Sequence, residues 1–71
     1  MNAYDKDLGG ELALVRYGDG EIMVLRPGRY VICAVTGKKI PLEALRYWNP
    51  LRQEAYAGPT EALARWRELN P

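Results

Sequence analysis

One cysteine and no histidine in 71 residues deprive this chain of both staples on which small domains usually lean. A core of this size supplies only about 3–5 kcal/mol by itself, so the missing staple decides what the chain can fold into. Cys33 has no partner for an intrachain disulfide. A lone thiol fits a reducing compartment, so the expected location is cytoplasmic. Structural zinc takes four ligands, usually Cys and His. Even two copies of the chain bring only two sulfurs together, so no metal or other cofactor is expected. Oligomerisation is the support that remains. No apolar run approaches the ~18 residues of a membrane span. Met1–Gly10, with Asp5, Lys6 and Asp7, lacks the apolar centre of a signal peptide.

The 48% apolar content is that of a folded domain, and turn residues divide it into short runs. Residues 1–11 are polar and read as a flexible arm; residues 12–71 read as one small α+β domain. Leu12–Tyr17, Glu21–Leu25 and Tyr30–Val35 are apolar, β-prone runs. Gly18-Asp19-Gly20 parts the first two, where glycine accepts a positive φ. Arg26-Pro27-Gly28-Arg29 parts the next two, with Pro fixing φ and Gly following it. Thr36-Gly37-Lys38-Lys39 ends the third. The pattern predicts an antiparallel three- to four-stranded β-meander. Its fourth strand falls at Leu45–Trp48, favoured by the aromatics; a short helical turn opening at Pro41 is the other reading of Ile40–Trp48.

Two short C-terminal helices are predicted after the sheet. Asn49 caps the first at Pro50, and Gly58-Pro59 ends it near Tyr56 or Ala57. Thr60 caps the second, whose apolar stripe is Ala62, Leu63, Trp66 and Leu69, with Glu61, Arg65, Arg67 and Glu68 outside it. The strands do not alternate cleanly: Tyr30, Ile32 and Ala34 point to one face, Val31, Cys33 and Val35 to the other, and both faces are apolar. Two helices cover one face. A second subunit is expected on the other, as a homodimer whose short connections permit exchange of elements.

Chemistry-bearing patterns are sparse, and no catalytic residue is expected. Cys33-Ala34-Val35-Thr36-Gly37-Lys38-Lys39-Ile40 has the shape of half a zinc-ribbon knuckle, but Thr36 stands where a second thiol belongs. A buried structural cysteine is the plain reading; a thiolate favoured by Lys38 and Lys39 is the sharper one, with no His available as its base. Glu43, Glu54 and Glu61 fall on expected solvated surfaces, and nothing in the spacing joins them. Gly9-Gly10 and Gly18-Asp19-Gly20 precede no helix and are not phosphate loops. Seven of ten basic residues are Arg, several beside aromatics, which raises single-stranded nucleic acid as an alternative partner. Sequence neighbours on a strand face opposite ways, however, and nine acidic residues dilute any basic patch. A non-enzymatic, self-associating interaction module is the least strained reading, because aromatics and Arg anchor protein contacts. The expected contact residues are Tyr30, Arg46, Tyr47, Trp48 and Tyr56.

The segments Leu25-Arg26-Pro27-Gly28, Val31, Cys33-Ala34-Val35-Thr36-Gly37, Ile40-Pro41-Leu42, Leu45-Arg46-Tyr47-Trp48 and Gln53-Glu54-Ala55-Tyr56 together resemble the domain of unknown function 2093 family of small bacterial proteins. The resemblance runs from about Val15 to Tyr56. It implies one shared small α+β fold in a bacterial cytoplasmic protein, and it carries no activity, cofactor or catalytic residue with it.

Overall fold

The computed structural model describes residues 10–71. Of the arm expected over residues 1–11, all but Gly10 and Glu11 lie outside the described residues. Strands β1 (Leu14–Tyr17), β2 (Ile22–Arg26), β3 (Tyr30–Ile32), β4 (Lys39–Pro41), β5 (Tyr47–Asn49) and β6 (Glu54–Tyr56) precede helix α1 (Pro59–Leu69), with a 3₁₀ turn at Leu42–Ala44. The α+β class is as predicted, but the meander is not. The strands form three separate antiparallel pairs, β1–β2, β3–β4 and β5–β6.

The turns explain why the pairs close locally. Gly20 (φ 93°) and Gly37 (φ 75°) sit where only glycine is unstrained, and Gly18 N–H donates to the Glu21 carbonyl at 2.7 Å. Around Gly37, Cys33 N–H donates to the Lys38 carbonyl and Gly37 N–H to the Cys33 carbonyl, each at 2.9 Å, so the knuckle shape read from the sequence is real. Pro27-Gly28 behaves differently from expectation. Gly28 has no positive φ; it lets two backbones touch, since a β-carbon there would lie 2.4 Å from Ala13 N. The chain entering β1 therefore lies against this turn and pairs in parallel with Tyr30 through Leu12. That contact turns β3 away from β2 and leaves it to pair with β4.

A two-stranded ribbon is marginal alone, and β3 stitches the three together. Ala13 N–H donates to the Tyr30 carbonyl at 2.8 Å, Arg29 N–H to Glu11 at 2.8 Å, and Ala34 N–H to Ala55 at 2.9 Å. The core follows the seam: Ala13, Val31, Cys33, Ile40, Leu45 and Ala55 form one buried cluster, with Val15, Tyr17, Ile22, Leu42 and Trp48 packed against it. Of the two apolar faces of the third run, Val31 and Cys33 on one are buried while Val35 beyond them is exposed, and Ile32 and Ala34 on the other are exposed.

Both readings of Ile40–Trp48 are present in part: Pro41 opens the 3₁₀ turn, and Tyr47–Asn49 is a strand. The helix predicted from Asn49 to Ala57 is absent. Asn49 Oδ1 does accept from Leu51 N–H (2.9 Å) and Arg52 N–H (3.2 Å), as an N-cap would. The chain then reverses at Gln53, whose φ of 54° is left-handed, and returns as β6. Pairing Trp48 with Ala55 buries Ala55 and Tyr56, which a solvent-facing helix would leave unburied. Only one helix follows. Gly58-Pro59 begins it rather than ending its predecessor, because Pro suits the first helical position. Gly58 is the N-cap in place of Thr60, and Gly58 carbonyl accepts the first helical bond from Ala62 at 3.0 Å.

Gly28→Ala is expected to force the two backbones apart and to destabilise the fold by about 1–3 kcal/mol. The denaturation midpoint in urea checks this.

Candidate interaction surface

The turn of β1–β2, the β5–β6 hairpin and α1 converge on one open groove. Its wider end, about 400 Å³, is lined by Gly18, Asp19, Gly20, Arg46, Tyr47, Trp48, Pro50, Tyr56 and Ala62. A second recess of about 270 Å³ shares Trp48, Pro50, Tyr56 and Ala62 with it and continues under the helix to Trp66 and Leu69. Four of the five expected contact residues therefore meet here. Tyr30 does not: it lies on β3, with Lys39 Nζ 4.8 Å from its ring centroid.

Each wall is held by bonds that orient it. Trp48 is half-buried, donates from Nε1 to the Gly18 carbonyl at 2.7 Å, and packs at 6.5 Å from the Tyr17 ring. Gln53, which the sequence reading passed over, clasps the hairpin to β1. Its side-chain oxygen accepts from Tyr17 N–H at 2.9 Å and its nitrogen donates to the Tyr17 carbonyl at 2.8 Å. The amide thus stands in for a strand neighbour. The Arg46 guanidinium donates to the Glu43 and Leu45 carbonyls, each at 3.0 Å, which draws it back toward its own turn. Leu51 projects from the hairpin tip and is 90% exposed.

Two charged residues expected in water instead lock the groove. Glu54 accepts from Arg65 Nε at 3.1 Å and Nη2 at 2.8 Å, and its side chain is only 17% exposed. Tyr56, buried on the same strand, donates its hydroxyl to Glu54 at 3.1 Å. Arg65 holds the Glu54 carboxyl below the usual range against the opposite push of burial, with Tyr56 adding to the effect. Burial, then the Glu54 carboxylate, pushes the Tyr56 phenol up, so it stays a donor. This latch rotates α1. Glu61, Ala62 and Arg65 turn toward the hairpin and are half-buried. Of the stripe expected inward, Leu63, Trp66 and Leu69 remain 48%, 59% and 40% exposed. A polar pair at i and i+11 across a hairpin leaves no periodic trace, which is why the sequence pattern misses it.

Cys33 lies away from the groove and is buried. Its sulfur accepts from Thr36 N–H at 3.5 Å and Ala57 N–H at 3.3 Å. Burial pushes the thiol up, and the Thr36 hydroxyl with the Thr36, Ala57 and Val35 amides more than offsets it, leaving the thiol below its ordinary value. Amides and a hydroxyl do this, not Lys38 or Lys39. Thr36 also fills the lost ligand position usefully: its hydroxyl accepts from Lys38 N–H at 3.3 Å.

Residues 24–65, more than half of the chain, match the model of domain of unknown function 2093, described as an uncharacterized protein conserved in bacteria. The chain belongs to this family. The matched stretch runs from β2 through the knuckle and both groove-forming strands to Arg65, so it holds both partners of the Glu54 latch. No curated protein and no solved structure matches the chain. The family description names no activity, so function rests on the surface itself. Among the described residues, no helix is long and apolar enough to cross a membrane.

Because the folded carboxyl titrates below its unfolded value, the latch contributes fully above the ordinary glutamate range near ~4.3. Its contribution fades as pH falls through the lower folded value. The Tm of the wild type is expected to fall across that window more steeply than that of Glu54→Gln, which starts lower at neutral pH. Thermal melts followed by circular dichroism from pH 7 to pH 3 check this.

Proposed function

We propose that this protein is a non-enzymatic interaction module that associates with a second copy of itself. The observation that carries the reading is the β1–β2 ribbon. Leu14, Met23 and Leu25 are 48%, 59% and 56% exposed, and no residue of β2 is fully buried. Met23 pairs with Arg16 on the face turned away from Tyr17, so this surface lies outside the chain's own core. Exposed apolar clusters of this kind mark association sites. An uncharged Ile22–Leu25 edge is self-complementary when two strands run antiparallel. The molecule is 14 Å along its shortest axis, and α1 lies against β5 and β6 rather than over the β1–β2 ribbon.

Single-stranded nucleic acid fits the geometry less well. Arg46 and Arg65 are engaged with backbone carbonyls and with Glu54, and Arg16 and Tyr17 lie on opposite faces of β1. Arg46 alone of these lines the aromatic groove, with its guanidinium held by the Glu43 and Leu45 carbonyls, so they form no continuous phosphate track.

Light scattering on the full chain should give about twice the 8.1 kDa monomer mass at micromolar concentration. Met23→Glu with Leu25→Glu should give the monomer mass with an unchanged circular dichroism spectrum. A wild-type monomer at high concentration overturns the proposal.

A further inference from the structure

The β1–β2 ribbon has one closed edge and one open one. On β1, Tyr17 turns its N–H and carbonyl away from β2 and spends both on the Gln53 amide. In an antiparallel ladder the two residues of a pair turn the same way. Ile22, the partner of Tyr17, therefore points its N–H and carbonyl away from β1. The hydrogen bond from Gly18 N–H to the Glu21 carbonyl, in the next pair, agrees with this alternation. Val24 points the same way as Ile22, and Met23 between them points back at Arg16. Among the described residues no strand lies on that side of β2. The bulge at Leu25 ends the regular run of outward groups.

We propose that two copies of the chain join by β2 edge to edge, as one continuous antiparallel sheet in the order β1-β2-β2-β1 with its two-fold axis at Met23. This rests on the self-association reading above and names the contact that serves it. The register follows from which groups are open. With Ile22 of each copy opposite Val24 of the other, every outward group in the run finds a partner, and Met23 faces Met23 between them. A slip of one residue sets outward groups against inward ones, and a slip of two leaves only one pair of outward residues facing. Charge selects the same arrangement. Glu21 shares the face of Met23 by alternation, and the bulge returns Arg26, the partner of Leu14, to that face. Neither has an ion pair among the described residues. Antiparallel pairing sets Arg26 of each copy beside Glu21 of the other, whereas parallel pairing would set like beside like. The Ile22–Leu25 stretch between these charges carries none of the Lys or Pro that guards a free edge.

Cross-linking in the full chain tests this. Met23→Cys should link two copies on mild oxidation, because facing residues of a non-hydrogen-bonded pair hold their β-carbons about 4.5 Å apart. Arg16→Cys, on the same face of β1, should not, since its two copies would lie roughly 14 Å apart, three strand spacings. The native Cys33 is buried and stays out of the reaction. Val24→Pro removes an outward N–H and leaves the β1–β2 ladder intact, as proline does at a free edge. It should give the monomer mass by light scattering with the wild-type circular dichroism spectrum. A dimeric wild type whose Met23→Cys variant does not cross-link overturns edge pairing and leaves self-association standing. Equal cross-linking of Arg16→Cys does the same, because it marks ribbons stacked face to face. A dimeric Val24→Pro variant also overturns edge pairing. A monomeric wild type removes the self-association reading itself.

Discussion

The fold is tied together at the sulfur of Cys33. Two amides from distant parts of the chain, Thr36 and Ala57, point at it, and the parallel bridge between Cys33 and Ala55 joins the knuckle to the second hairpin at the same place. Each strand has only one ladder partner, so no ribbon is stable by its own ladder. What makes them cooperative is that their edges meet around one small, fully enclosed side chain. A larger residue would separate the hairpins; a smaller one without a polarisable acceptor would leave two inward-facing amides without a partner. In a metal-binding knuckle the thiolate would face an ion. Here the same geometry faces the protein's own backbone, and the sulfur accepts two amide hydrogen bonds within a packed core.

That arrangement has consequences at the periphery. The enclosed cluster around Cys33 is small, and the remaining apolar side chains lie at the edges of a thin slab. The β1–β2 ribbon, the aromatic groove and the outer side of α1 all keep apolar surface in contact with water. Apolar area left in water in this way contributes nothing to the stability of the single chain. The groove walls are nonetheless rigid: Trp48, Gln53 and Glu54 each spend their polar atoms on fixed partners within the chain.

Local chemistry was readable from the sequence; long-range pairing was not. The turns at Gly20 and Gly37 follow from φ alone. Residue type singled out Tyr30, Arg46, Tyr47, Trp48 and Tyr56 but not their placement: four meet at one groove, and Tyr30 lies elsewhere. Asn49-Pro50 shows how a correct local signal leads to a wrong element. The asparagine does cap two amides, but the burial available to Ala55 and Tyr56 in a strand outweighed helix propagation. The helix α1 shows the converse. Its apolar periodicity is plain, yet the Arg65–Glu54 pair fixes its rotation. The period gives a stripe; it does not say whether the stripe faces its own chain or another.

The position with least freedom to vary is one without a side chain. Where Gly28 lets the backbone of residues 11–13 pass, even a methyl group has no room, whereas long exposed stretches of the ribbon, hairpin tip and helix present their side chains to water. Sequence drift in such a molecule is therefore channelled. It can recolour the surface extensively, and with it the choice of partners, while the backbone crossing and the handful of small residues around the central sulfur hold the architecture in place.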